Sequence, residues 1–310
     1  RTMAQLARVS KPFNATLSAE WWAVAKDAFA RAEANPDVDY TASTPDTVGG
    51  GDYPDTKNSD DRYAALAEMY LTAYAFGDAN RTQYRSALMS SPHYKEVGQF
   101  DWMEVATVGT LSLLSVPNDL PTQDLSDMRS RVLAHADQLL TVMSAEGYPV
   151  PLPGNAKYPW GSNSFIVNKM ILMAYSYDIS GNLKYLKGIH RAMDYLMGNN
   201  AMRLSYLTGY GEYYETDTHD RWAWGKYQAG IPYPKGWLSG GPNNEIANCD
   251  PATPSGMPAA KSYAGKNTAP NAWCSKENTI NWNAPLVWIA QYIQNTQSNL
   301  SGRTTPTPTP

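Results

Sequence analysis

Apolar side chains recur at intervals of three and four residues along most of the chain. From Leu17 to Ala34, for example, Trp21, Trp22, Ala25 and Phe29 follow this spacing, which places them together on one side of an α-helix. No alternating pattern indicates a strand ladder. The sequence therefore predicts an all-α fold of about eight helices. They comprise a partial helix at the N-terminus and helices over 17–34, 60–76, 101–115, 122–145, 162–179, 183–197 and 280–294.

The run 198–279 departs from this pattern. It is rich in Gly, Pro, Asn, Tyr and Trp and has little periodicity. A long loop inside a compact domain is usually functional. We therefore expect helical hairpins whose long loops gather at one end and form a cleft.

Charge and composition exclude several classes of partner. The 25 Lys and Arg against 29 Asp and Glu give a net charge of −4, so nothing favours nucleic acid or an anionic membrane as the main partner. The longest apolar stretches, such as Val105 to Val116, are shorter than the roughly 18 residues of a membrane span. We expect neither a nucleic-acid partner nor a membrane partner.

Aromatic residues with a polar atom are abundant, with 10 Trp and 21 Tyr against 5 Phe. Such rings suit a sugar-binding cleft, but they also suit half-buried positions at helix rims. Composition leaves both interpretations open.

Cys249 and Cys274 lie in the loop-rich run without the spacing that zinc requires. The sequence therefore predicts a disulfide between them.

Both ends of the chain suggest a larger, exported protein. Arg1 lies within a helical pattern with no initiator Met or signal peptide, so we expect sequence upstream. Residues 304–310 alternate Thr and Pro, a composition typical of an extended linker. We assign 1–298 to one domain and 299–310 to a linker that leads to a further domain. Three Asn-x-Ser/Thr sequons, at Asn14, Asn80 and Asn299, are compatible with secretion.

Glu277 is a candidate general acid. It precedes a very apolar helix and is surrounded by Asn and Trp residues. Aromatic crowding would raise its pKa enough for acid catalysis, although an isolated Glu at this position more often caps the helix.

His219 and Arg221 are separated by one residue. In an extended loop both side chains would point to the same side and could bind hydroxyl groups, although such a pair is more often simply solvated. The chain has no serine-nucleophile, phosphate-binding or dinucleotide motif, which argues against esterase, nucleotide-dependent and hydride-transfer chemistry.

The segment 49–61 places several oxygen ligands at the start of a helix, as calcium requires. It lacks the spacing of a helix-loop-helix calcium site, and Asp60 or Asp61 could instead cap the helix.

Several segments resemble, in the same order, the signatures of glycoside hydrolase family 9, a family of cellulases with an α/α barrel of six helical hairpins. The resemblance extends from Arg1 to about Gln297. Its segments are 60–70 (DDRYAALAEMY), 158–163 (YPWGSN), 193–200 (MDYLMGNN), 204–211 (LSYLTGYG), 219–221 (HDR), 236–243 (GWLSGGPN) and 277–286 (ENTINWNAPL).

The resemblance implies inverting hydrolysis of β-1,4-glucan, with Glu277 as the general acid. Endo action is the first hypothesis, and processive exo action stays open. The sequence departs from the family pattern at Lys276 and Asn278, which flank this residue. Glu245, in a partial copy of the motif, is the second candidate for the acid.

The resemblance also implies the other site residues. His219 and Arg221 match a substrate-binding pair, and Trp160 and Trp282 match sugar-binding aromatic positions. Asp60, Asp61 and Asp101 match a structural calcium site.

The family's general base lies in an Asp-Ala-Gly-Asp loop, and no Asp-x-Gly-Asp occurs in this sequence. With about eight of the helices of the barrel, the chain is interpreted as the C-terminal two-thirds of a catalytic domain, which we expect to be inactive alone.

Two alternatives remain open. One is a glucan-binding protein that uses an aromatic cleft without chemistry. The other is a polysaccharide lyase built on an α/α barrel, which would need a neutralised uronate and a Tyr or His base. An Asp-x-Gly-Asp loop upstream of Arg1 would favour the hydrolase.

Overall fold

The computed structural model describes residues 1–36, 38, 55 and 57–300, and within these ranges the regular structure is helical. Strand-like pairing occurs there only as three isolated bridges. The helices are α1 (Thr2–Ser10), α2 (Ala15–Ala34), α3 (Asn58–Phe76), α4 (Arg81–Met89), α5 (Ala106–Ser115), α6 (Thr122–Ala145), α7 (Ser162–Ser180), α8 (Leu183–Leu196), α9 (Arg221–Gln228), α10 (Trp273–Lys276) and α11 (Ile280–Leu300), with one 3₁₀ turn at Ala259–Lys261. The all-α prediction is confirmed.

Some helix boundaries differ from the predicted ones for local reasons. The helix expected from Asp101 begins only at Ala106, because the Asp101 carboxylate accepts hydrogen bonds from the backbone N–H groups of Met103 and Glu104 and forms a turn. The last helix continues to Leu300, past the predicted domain boundary at 298. Residues 301–310, which include the Thr/Pro repeat, lie outside the described residues.

The chain divides into two compact units, and the division falls within α6 after Arg131. In the first unit, α3 contacts α1, α2, α4 and α5. Its side chains Tyr63, Tyr70 and Leu71 are fully buried. The core of this unit is therefore organised around α3.

The second unit is organised around α7, which packs against α8 and α11. Helix α7 buries residues on all sides, as expected for a helix enclosed by neighbours. It begins after Gly161, whose φ is +77° and where a Cβ would lie 2.6 Å from the Trp282 ring. Glycine is therefore required at this close approach. None of the described helices is both long and apolar enough to cross a bilayer.

Candidate active site

Glu277 lies in the second unit, between α10 and α11. It terminates α10, and its backbone N–H donates to the Trp273 carbonyl at 3.2 Å. Burial raises the pKa of the Glu277 carboxyl to about 7. A carboxyl with this pKa is largely protonated at mildly acidic pH and can act as a general acid.

Trp160 is the aromatic neighbour of this carboxyl. Its ring packs against Trp273 with centroids 5.2 Å apart. The approach of its indole to Glu277 offsets part of the rise in the pKa of that carboxyl. The indole Nε1 is nevertheless buried without a hydrogen-bond partner of normal geometry. Trp160 therefore forms part of the environment that shields the acid.

His219 lies beside Glu277. The two residues form a parallel bridge, and the His219 N–H donates to the Lys276 carbonyl at 2.7 Å. Burial lowers the pKa of His219, the Pro270 carbonyl opposes this change, and the charge of Arg221 lowers the pKa further. The imidazole is therefore neutral near pH 7, and its buried Nδ1 has no hydrogen-bond partner of normal geometry.

The expectation that His219 and Arg221 share an extended loop is wrong in its local geometry. Arg221 is the first residue of α9, and the Asp220 carboxylate caps that helix by accepting from the Ala223 N–H at 2.8 Å. Arg221 is exposed but close enough to affect the pKa of His219. Asp220 thus starts the helix that carries Arg221.

Trp282 is only 8% exposed. Its ring packs over Gly161 and Gly240, where an added Cβ would lie 2.6 Å and 3.0 Å from it. Trp282 therefore supports the backbone of the candidate site at Gly161 and Gly240. Direct contact between Trp282 and a sugar remains a prediction, which this burial disfavours.

Glu245, the second candidate for the acid, is exposed to solvent. Its backbone N–H donates to the Tyr158 carbonyl at 3.2 Å, which fixes the main chain but does not shield the carboxyl. The burial of Glu277 therefore favours Glu277 as the acid.

The predicted disulfide between Cys249 and Cys274 is present, with Cα atoms 6.1 Å apart. Cys274 lies in α10, just before Glu277. The bond therefore ties the segment that carries the acid to the loop around Cys249.

The predicted calcium ligands belong to the first unit. Asp60 is fully buried; its Oδ2 accepts from the Val105 N–H at 2.7 Å, whereas its Oδ1 has no partner. Burial raises the pKa of Asp61, and the charges of Asp60 and Asp55 add to this rise.

The Oδ1 of Asp101 caps its own turn by accepting from the Met103 and Glu104 N–H groups. Within 1–36, 38, 55 and 57–300, no group of three His, Cys, Asp or Glu residues could hold a metal. Residues 49–54 and 56 of the predicted calcium loop lie outside the described residues. The buried Oδ1 of Asp60, which has no hydrogen-bond partner, fits a cation ligand.

The sequence interpretation missed three buried charged residues beside the site. Lys276 Nζ lies 3.2 Å from Glu215 Oε1 and 3.1 Å from Asp217 Oδ1. The alternation of Glu215, Asp217 and His219 at every second position was a signal for an extended segment with these side chains on one side. Their common partner, distant in sequence, carried no such signal.

Comparison with known proteins identifies the family. The family model of glycosyl hydrolase family 9 matches residues 1–290. The chain belongs to glycosyl hydrolase family 9. Its acid candidate, its His219 segment and its disulfide all lie within this match, and the resemblance seen in the sequence is confirmed.

Two curated relatives cover most of the chain. A cellulose 1,4-beta-cellobiosidase of Acetivibrio thermocellus is 35% identical over 94% of the chain and 34% of the relative. Endoglucanase C of Cellulomonas fimi is 33% identical over 94% of the chain and 26% of the relative. The chain thus spans about a third or less of these proteins.

Solved structures give the fold. A metagenome-derived glycoside hydrolase family 9 endoglucanase matches 94% of the chain and 50% of its own length, with a TM-score of 0.78 and 25% identity. AaCel9A in complex with cellobiose-like isofagomine matches 94% of the chain and 53% of its own length, with a TM-score of 0.76 and 25% identity. The predicted all-α fold class of family 9, whose structures are (α/α)6 barrels, is confirmed, and the chain spans about half of these solved structures.

Proposed function

We propose that this chain takes part in the inverting, endo-acting hydrolysis of β-1,4-glucosidic bonds in cellulose or related β-glucans, with Glu277 as the general acid. The observation that carries the proposal is the shielded Glu277 carboxyl, whose pKa is raised to about 7, beside His219 in a family 9 chain. Protonated Glu277 would donate its proton to the glycosidic oxygen as the bond breaks.

An inverting reaction also needs a second carboxylate, roughly 6.5–9.5 Å from the acid, to activate water. The sequence has no Asp-x-Gly-Asp motif to supply it. We infer that the base comes from residues outside this sequence and that the chain alone is inactive or nearly so.

Three residues are proposed to bind the glucan beside the acid. Neutral His219, next to Glu277, is proposed to hydrogen-bond a sugar hydroxyl, and Arg221 adds charged donors at the start of α9. Trp160 offers an aromatic face near Glu277. Trp282 would act mainly by supporting them.

Endo action is the proposed mode of cleavage. Endo action is favoured by the relatives named endoglucanase, but another relative is named a cellobiosidase. An endo enzyme would release a range of oligosaccharides from soluble β-glucan, whereas cellobiose as the sole early product would contradict endo action.

Binding of cellotetraose to the chain, measured by calorimetry, tests the proposed substrate class. Maltotetraose, which has the same units in α-linkage, is the control ligand. We expect binding of cellotetraose alone, weakened in His219→Ala. Absence of cellotetraose binding by the folded chain would contradict the proposal. Binding without hydrolysis by a catalytically complete domain would instead favour a non-catalytic glucan-binding protein.

We also propose a structural calcium ion held by Asp60 together with Asp61 and Asp101, supported by the buried and unpaired Oδ1 of Asp60. A ligand bound only by the folded state adds stability by mass action, so a chelator should lower the melting temperature by several degrees. Asp60→Asn should melt at a lower temperature and be insensitive to the chelator. An unchanged melting temperature of the original chain in chelator would contradict the calcium site.

Secretion is a further proposal, supported by the disulfide, because such bonds persist mainly in oxidising compartments. Detection of the protein only inside cells of its source organism would contradict it. The linker and the domain expected beyond it remain predictions.

A further inference from the structure

Lys276, Glu215 and Asp217 form a fully enclosed charged cluster beside the candidate acid. Their side chains are 1%, 1% and 0% exposed. Every other ion pair of the described residues has a partner at least 14% exposed. Enclosing charges in this way carries a large desolvation cost. Apolar side chains could fill the same space without this cost, so packing alone does not account for three charged residues here.

Both carboxylates are held by further donors. Glu215 accepts from the Tyr263 hydroxyl and from the backbone N–H groups of Thr216 and Asp217. Asp217 accepts backbone N–H bonds of 3.0, 2.9 and 3.1 Å from the segment 267–269. The oxygen atoms of the cluster are thus occupied by protein groups, and the cluster is not itself a substrate site.

Of the two carboxyl groups, Asp217 is the firmer partner of Lys276, because its negatively charged form is the more strongly stabilised. Burial acts to raise the pKa of Asp217, but Lys276 and the backbone donors outweigh it and hold that pKa below its ordinary value. Burial raises the pKa of Glu215, with Lys276 opposing the change. Removal of Lys276 would leave two enclosed carboxyl groups facing each other without a cation.

Lys276 contacts the segment 215–219 at three successive points. Its ammonium group binds Glu215 and Asp217, and its carbonyl accepts from the His219 N–H at 2.7 Å. The residue that follows Lys276 is Glu277, which forms the bridge with His219. The register between the segment that carries the acid and the segment that carries His219 is therefore fixed by one side chain and its own backbone.

We propose that Lys276 is a positioning residue that holds Glu277 and His219 as one unit. Through its two carboxylate partners it fixes which residues of the two segments lie opposite each other. The inference rests on the proposed function for the role of His219 in sugar binding. An apolar side chain of similar volume would fill the space but would not direct hydrogen bonds to two defined oxygen atoms.

The test compares Lys276→Met with Lys169→Met. Lys169 is another buried lysine of the second unit, but its Nζ donates only to the Pro151 carbonyl, at 3.1 Å. Two quantities are measured in the folded chain: the affinity for cellotetraose by calorimetry, and the pKa of Glu277 by carbon-13 NMR of labelled glutamate, with Glu277→Gln to assign the signal.

We expect Lys276→Met to weaken cellotetraose binding at least about tenfold and to move the pKa of Glu277 down toward its ordinary value, because a displaced carboxyl gains water. Lys169→Met should leave both quantities unchanged. If Lys276→Met lowers only the melting temperature and leaves affinity and titration intact, Lys276 has a structural role alone and the proposal is overturned.

Two further outcomes, a variant that does not fold and an unaltered chain that does not bind cellotetraose, can be distinguished from failure of the positioning role. If Lys276→Met does not fold, the isosteric Asp217→Asn removes the firmer partner, and it should change both quantities in the same direction; no change in either would overturn the proposal. If the unaltered chain folds but does not bind cellotetraose, the proposed function fails. The titration of Glu277 then still decides whether Lys276 positions the acid.

Discussion

Glu277→Gln in a catalytically complete domain that contains this chain is expected to lower kcat on cellulose by about 10² to 10⁴, the usual contribution of a positioned acid. The amide has nearly the same shape as the carboxyl but carries no transferable acidic proton. Because burial already favours the neutral form of Glu277, the substitution should preserve the fold and glucan binding. Initial rates of reducing-sugar release measure the effect.

The matched control is Glu245→Gln, which alters the exposed second candidate and should retain nearly full activity. On an aryl cellobioside whose leaving group needs no proton, the loss in Glu277→Gln should be much smaller. Full activity of Glu277→Gln on cellulose, with loss in Glu245→Gln, would reassign the acid to Glu245.

Removal of the disulfide by Cys249→Ser/Cys274→Ser is expected to reduce the free energy of unfolding by about 3 kcal/mol. The bond joins residues 25 positions apart and so restricts the unfolded chain. The Asp250 carboxylate also accepts from the Cys274 N–H, at 2.6 Å, so the local structure near α10 has a second attachment. The variant should therefore fold while unfolding at a lower urea concentration.

Reductant supplies the control for this experiment. It should destabilise the original chain and have no effect on the double serine variant, which has no thiol. Equal urea midpoints for the oxidised chain and the variant would show that the bond adds no stability.

The helices were predictable where burial imposes a repeating pattern. Helix α2 follows the predicted range 17–34 closely, because one side of it faces the core. Helix α4 escaped prediction because only Tyr84 and Leu88 are buried in it. Helices α9 and α10 have eight and four residues, too few to show a period. Their boundaries depend on local caps, such as Asp220.

Sequence motifs singled out Glu277 and His219 as candidate site residues. The structure then placed these residues beside each other. The role of Lys276 could not be read from its sequence position, because its partner Asp217 is 59 residues away. Likewise, the burial of Trp282 depends on two glycines that reach its ring from other segments. Such contacts are set by tertiary packing and leave no local pattern.

The most direct test of the general-acid assignment is the titration of Glu277 in the unaltered chain, followed by carbon-13 NMR and identified by the signal lost in Glu277→Gln. If Glu277 is the general acid, its pKa should be about 7, against an ordinary value of 4.5. The acid would then be protonated below pH 7, and in a complete domain hydrolysis would decline as the pH rises through this value. A pKa near 4.5 would contradict the account, because Glu277 would then be ionised and unable to donate a proton.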